Sequence, residues 1–387
     1  MYFDAATGKV SGINGSGRSP AALTLERARA DGITGDHIPP LNAHAVTVPG
    51  AAAGWVDTIE RHGSLSLAEV LQPAIELAEG GFPVHATAAH FWHQGSDKLR
   101  APGNAHGGDL LMADGTAPRE GDVMEMPLLA QTFRRLAAEG RDGFYRGTVA
   151  RAVVTAVQER GGVLTEEDLE AHRSRFDDPI HVKYRGTDVW EIPPNGQGLT
   201  ALMALNVLEQ FDVAALGHNS PAYLHTLIEA LRLSFADTLW HVADPEQSPA
   251  PLEALLAKGY ARTRAALIRP GHAVADPERG APVHSSDTVY FCVVDGRGNA
   301  CSFINSNYMG FGTGIVPAGC GFTLQNRGSN FSLQAGHPNV LGPAKRPYHT
   351  IIPGMATRDG ELYAAFGVMG GFMQVQWRAP GLYLQPR

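Results

Sequence analysis

Between residues 221 and 240 the apolar positions Leu224, Leu227, Ile228, Leu231 and Phe235 recur at helical spacing. That stripe predicts an amphipathic helix over the whole segment. A second helix is signalled by Ser66-Leu-Ala-Glu69, a capping box in which the hydroxyl and the carboxylate each satisfy a backbone amide of the first turn. Pro73 is expected to kink or divide that helix before Gly80-Gly81 ends it. Further helices are predicted over 127–139, 150–160 and 199–210, the last started by a turn at PPNGQG. After residue 287 the pattern changes. Strand-like runs at 289–294, 300–304, 321–324, 349–352 and 362–368 are separated by Gly and Asn turns. No linker divides the two halves, so the pattern favours a single layered α+β body.

Composition narrows the partners. With 31 Lys+Arg against 39 Asp+Glu the net charge is -8, and no basic run is interleaved with aromatics, so a nucleic-acid partner is not expected. No stretch of 18 or more apolar residues is present, and Met1-Tyr-Phe-Asp lacks the basic-then-apolar pattern of a signal peptide. A soluble, cytoplasmic protein with no membrane partner is the expectation. Cys292, Cys301 and Cys320 show no C-x-x-C spacing and read as small buried residues. His85, His90 and His93 match no zinc motif, GINGSGRSP is not a dinucleotide fingerprint, and PPNGQGLT lacks the lysine of a phosphate loop. Asp237 and Asp244 read as cap or turn residues.

The stretch from Asp287 carries more specific chemistry. If DGRGN, residues 295–299, forms a turn, Val294 pairs with Ala300, Cys292 with Ser302, Tyr290 with Ile304, and Thr288 with Ser306. Two hydroxyls then face each other at the open end of a hairpin, close enough for a hydrogen bond. A threonine at a strand start is ordinarily just a β-former. Were the Asp287–Thr288 bond cleaved, however, the freed α-amine would serve as base for the residue's own hydroxyl. That hydroxyl is also placed to attack the Asp287 carbonyl, through an ester that water hydrolyses.

The run DTVYFCVVDGRGNACSF, followed by FGTGI, LQNRGSNFS, GPAKRP and VMGG, resembles the small subunit of the gamma-glutamyltranspeptidase family. SGINGSGRSP, TVPGAAAGW, PPNGQG, EALRLSFADT and VADP resemble its large subunit in the same order. The resemblance implies an N-terminal-nucleophile hydrolase, a four-layer αββα sandwich. It implies cleavage between Asp287 and Thr288 into segments 1–287 and 288–387, which stay associated as one intertwined body. Thr288 matches the nucleophile, Ser306 the hydroxyl beside it, and Gly370 and Gly371 the pair whose amides form the oxyanion hole. The implied reaction is ping-pong transfer of a gamma-glutamyl group from a small-molecule amide to water or an amino acid, with no metal or cofactor.

Departures from the family pattern lie in donor recognition. Asn330 stands where the family has an amine-binding aspartate, and His349-Thr350 where it has a carboxylate-binding serine pair. The threonine can donate a hydrogen bond, and the histidine can donate and, if protonated, add charge. Arg18 is the nearest candidate for the family's carboxylate-clamping arginine. Such departures imply one alternative, an acylase for glutaryl or cephalosporin amides; the atypical ends motivate another, an unprocessed, inactive relative. The resemblance also implies a protein longer at both ends than this chain, and the closing VQWRAPGLYLQPR matches no quoted motif.

Overall fold

The computed structural model describes residues 1–274 and 288–376. Asp287 and most of the closing segment therefore lie outside the described residues. Two antiparallel sheets form the centre. The first runs Arg175–Asp177, Lys9–Asn14, Tyr2–Asp4, Ala300–Asn305, Val289–Val294 from edge to edge. The second runs Glu361–Phe366, Gly354–Arg358, Thr187–Glu191, Ile180–Tyr184. Each sheet mixes strands from before and after residue 288, so neither half of the sequence owns a sheet.

The sheets meet over Met1, Phe3, Val10, Ala300 and Met355, with Trp190, Ile192 and Leu362 packed around them. Helix Gly198–Leu208 lies on the other face of the second sheet, against Val182, Tyr184 and Val189, and every one of its residues is buried. Such an apolar-all-round helix is expected where a helix is covered on both sides. Its cover is Pro221–His241 together with Lys258–Ala265. A separate helical core joins Ala51–His62, Leu67–Gly80, Pro127–Glu139 and Gly147–Gln158.

Several expectations are revised. Pro73 does not divide its helix, which runs unbroken over Leu67–Gly80. The proline sits on the exposed face, where water serves a carbonyl left without its amide. In the 221–240 stripe Leu227 and Leu231 are buried but Leu224 and Ile228 are exposed, because Ala230 and Ser234 supply the covered face instead. Segments 321–324 and 349–352 are not strands. Gly321 adopts a positive φ of 71° against the backbone of Leu128 and Leu129, which breaks the first. His349 exchanges backbone hydrogen bonds with the PPNGQG turn alone, Asn195 O at 2.9 Å and Gln197 N at 3.0 Å. Cys292 is exposed, unlike Cys320, because it lies on the edge strand of its sheet. Val289, Phe291, Val293 and Val294 on that strand are exposed as well.

Among the described residues no helix is long and apolar enough to cross a membrane.

Candidate active site

The hairpin has the register the DGRGN turn predicts. Asp295 closes the turn by accepting from the amides of Arg297 and Asn299 at 2.8 and 2.9 Å and from Asn299 Nδ2 at 2.8 Å. Gly298 takes the positive φ of 87° that the turn needs. Pairing then proceeds from Val294 with Ala300 to Val289 with Asn305. One step beyond, Thr288 Oγ1 donates to Ser306 Oγ at 3.2 Å, and both residues are largely buried. Ser306 Oγ also accepts from the Tyr308 amide at 2.9 Å. Thr288 thus ends the strand with its hydroxyl oriented by a second, backbone-anchored hydroxyl.

Ser306 opens onto a cavity of about 130 Å³. One wall is backbone from SGINGSG and TVPG, in which a Cβ on Gly17 would fall 1.7 Å from Val48 O and one on Gly50 1.7 Å from Gly15 O. Only glycine permits that approach. The PPNGQG turn ties the opposite wall together. Asn195, fully buried, accepts from Asn14 Nδ2 at 3.0 Å and donates to Ser16 Oγ at 3.0 Å and Pro347 O at 2.6 Å. Gln197, equally buried, donates to Thr350 O at 2.8 Å and Gly371 O at 2.9 Å and accepts from Tyr348 OH at 3.1 Å. One amide side chain thereby joins the His349-Thr350 segment to the Gly370-Gly371 turn. Both glycines have positive φ, 131° and 58°.

His349 lines the cavity, and its Nδ1 accepts from the Ile351 amide at 3.3 Å. Burial, then the nearby Arg327 charge, hold its pKa well below the ordinary histidine value. At neutral pH the ring is therefore neutral, so the charge that a protonated His349 would add is not present there. Thr350 is fully buried, and its hydroxyl accepts from Arg327 Nη1 at 2.5 Å.

Arg18 does not line the cavity. Its guanidinium is occupied by Asp244 Oδ2 at 2.8 Å, Glu246 Oε2 at 2.8 Å and Ala344 O at 2.9 Å. Asp244 also accepts from the Arg346 amide at 2.9 Å, so it is a structural anchor. Asp237 pairs with Arg264 at 3.1 Å. Asn330 is buried at the end of the short turn Arg327–Asn330, outside the cavity lining, with Nδ2 unpartnered among the described residues. His85 caps helix Ala86–Leu99, accepting from the Thr87 amide at 3.2 Å.

Arg327 was not singled out by its sequence context, yet it is the charged side chain of the cavity wall. It is 3% exposed, and the Tyr308 ring lies 5.0 Å from its Cζ. An arginine one residue into a turn flanked by LQN and NFS carries no spacing signal; only its burial reveals it.

Two hydroxyls, Thr288 and Ser306, thus meet at a strand head beside a cavity walled by glycine backbone. The family model "Gamma-glutamyltranspeptidase" matches residues 1–383, and the chain belongs to that family. The matched span passes Gln374, so it includes most of the closing segment that the quoted motifs left out. The chain is 39% identical over 378 residues to a Bacillus subtilis (strain 168) protein named glutathione hydrolase-like YwrD proenzyme, covering 97% of this chain and 70% of that one. It is 31% identical over 389 residues to the glutathione hydrolase proenzyme of Escherichia coli (strain K12), covering 96% and 67%. The solved structure of a cephalosporin acylase from Bacillus halodurans superposes with a TM-score of 0.89 at 40% identity, covering all of this chain and 72% of that one.

Proposed function

We propose that this chain is an autoprocessing amide hydrolase and acyltransferase that carries gamma-glutamyl groups on Thr288. The observation behind this reading is the Thr288–Ser306 hydroxyl pair at the rim of the cavity, in a chain of the gamma-glutamyltranspeptidase family. Thr288 Oγ1 first attacks the Asp287 carbonyl; the resulting ester is hydrolysed, leaving Asp287 with a carboxylate and Thr288 with a free α-amine. That amine then takes the hydroxyl proton as Oγ1 attacks a donor amide. The C–O bond forms, the C–N bond breaks, and the proton passes to the leaving amine. Water or an amino acid releases the acyl group in a second attack. The Gly370 and Gly371 amides are assigned to the oxyanion, where removing one donor typically costs roughly 2.7–4 kcal/mol.

The two products, 1–287 and 288–387, remain one body in this reading, since Tyr2–Asp4 pairs with Ala300–Asn305 and Thr187–Glu191 with Gly354–Arg358. The two sheets packed face to face, with helices on the outer face of the second, support the four-layer αββα reading.

A second reading is a glutaryl- or cephalosporin-type acylase. It is favoured by Asn330, which brings no countercharge for a donor amine, and by the name of the Bacillus halodurans structure. Comparing kcat/KM for glutaryl and gamma-glutamyl 4-nitroanilides separates the two, because only the second substrate rewards an amine site.

The primary test is intact mass and N-terminal sequencing of the purified protein, with turnover of the same anilides. Two fragments, one beginning at Thr288, and turnover lost in Thr288→Ala are expected. A folded wild-type chain that stays whole and turns over neither anilide would mark an inactive relative.

A further inference from the structure

The cavity beside Ser306 is walled mainly by carbon. Ile13, Val48, Ile192, Ile304, Ile351 and Ile352 reach it from segments far apart in sequence and stand between the stretches of glycine backbone. The polar side chains of the same wall are largely spent on one another. Asn195 engages Asn14 Nδ2 and Ser16 Oγ, each at 3.0 Å. Gln325 Nε2 donates to Thr47 O and Thr47 Oγ1, both at 2.7 Å, and Ser302 Oγ is bonded to Tyr290 OH at 3.0 Å.

Nor does the wall present an accessible charge. Nε and Nη2 of Arg327 are themselves buried, so neither faces the cavity, and Nη1 is bonded to Thr350 Oγ1 at 2.5 Å. His349 is neutral at pH 7, and so in the main is the Met1 amine, which burial lowers to about 6 while it donates to Ser302 O at 2.7 Å. Arg18 does not line the cavity. A charged group entering this space would shed its water without gaining a countercharge, whereas an apolar group is favoured there by the same loss of water. The volume is about 130 Å³. An apolar cavity of about 150 Å³ holds one benzene ring, so a short alkyl chain or a single ring fits.

We propose a further activity at the same nucleophile: hydrolysis of amides of uncharged, apolar carboxylic acids, with an alkyl or aryl acyl chain of about four to seven carbons lodged in this cavity. This activity rests on the function proposed above for its nucleophile, Thr288, but not for its choice of acyl group. Thr288 Oγ1 attacks the amide carbonyl, and its proton passes through the α-amine to the leaving amine as the C–O bond forms and the C–N bond breaks. Water then splits the ester, which releases the free acid and restores the hydroxyl. The acyl chain stays on the protein through both steps while the amine departs, so the walled space suits the acyl chain.

The experiment measures kcat/KM of the purified full chain for pentanoyl, glutaryl and gamma-glutamyl 4-nitroanilides, which share one leaving group. Wild type is expected to turn over the pentanoyl anilide, with kcat/KM on the order of tenfold or more above the glutaryl anilide, whose far carboxylate has to be buried unpaired. Ile351→Asn puts an amide into the apolar wall and should bring the pentanoyl-to-glutaryl ratio close to one; the ratio cancels any loss common to both substrates. Ile13→Thr keeps the β-branched shape, serves where the asparagine variant does not fold, and should lower the same ratio by about threefold. Turnover of the gamma-glutamyl anilide without the pentanoyl one, or a ratio unchanged in the folded variants, would overturn the apolar acyl site while leaving gamma-glutamyl transfer standing. A folded wild-type chain that turns over none of the three would overturn the catalytic reading, and this activity with it.

Discussion

Thr288 and Ser306 lie 18 positions apart on one hairpin, and their hydroxyls satisfy one another. Gln197 and Thr350 lie 153 positions apart and meet only because a buried amide joins two loops. Beside them, among the described residues, Arg327 Nε and Nη2 have no hydrogen-bond partner. The Thr288–Ser306 end of the cavity is therefore local, whereas the Thr350–Arg327 end is assembled from distant segments and, among the described residues, left short of acceptors.

The strongest way to break this comparison is at the nucleophile. Thr288→Ala should leave the chain whole by mass spectrometry and lower kcat/KM on a glutaryl or gamma-glutamyl anilide by on the order of 10⁴-fold or more. A residual rate near wild type would mean that the hairpin is not the catalytic end. At the other end, Gln197→Leu strips donors from the Thr350 and Gly371 carbonyls and leaves Tyr348 OH without its acceptor. A stability loss of on the order of 3 kcal/mol in denaturant melts is expected. Displacement of the Gly371 turn should lower kcat/KM by on the order of 10²-fold. A variant as stable and active as wild type would show that the Thr350–Arg327 end does not depend on this knot.

Ser306→Ala sharpens the comparison from within the hairpin. It removes one hydroxyl contact to Thr288 and an acceptor for the Tyr308 amide, so a loss of about tenfold in kcat, with processing slowed but not stopped, is expected from single-turnover and mass measurements. The smallest effect is acid sensitivity. Burial holds His172 at a pKa of about 3, with nearby arginines adding to the shift, and holds His349 well below its ordinary value. Both are neutral when folded and gain a proton on unfolding once the pH falls below their unfolded value of about 6.5. Their contribution to stability is therefore intact above that value and is lost as the pH drops toward about 3 for His172. Each accounts for at most about 1.4 kcal/mol per pH unit in that window. Melting temperatures at pH 7.0 and 5.5 should show the fall, and His172→Gln should reduce it; an unchanged slope would mean that His172 titrates normally in the fold.

Legibility in the sequence followed the range of the forces involved. The DGRGN turn, the Ser66 capping box and the 127–139 helix were readable because each depends on neighbours within a few residues. The Thr288–Ser306 pairing was readable as well, since one turn sets the register of everything beyond it. The strands Tyr2–Asp4 and Lys9–Asn14 carry no strong alternation of their own and were missed; they become strands by pairing beside Ala300–Asn305. Segment 349–352 looked like a strand and is instead a loop pinned by Asn195 and Gln197. Arg18 was the nearest candidate for a carboxylate clamp, but two acidic residues more than 220 positions downstream, Asp244 and Glu246, engage its charge.

By itself, then, the sequence determined the nucleophile candidate, the turn that presents it and the family, because these rest on short-range geometry and ordered motifs. Which arginine borders the cavity was decided only in three dimensions. Arg18 and Arg327 are the same residue type, and the difference between them is whether the fold brings a carboxylate to each. The fold supplies two to Arg18 and, among the described residues, none to Arg327.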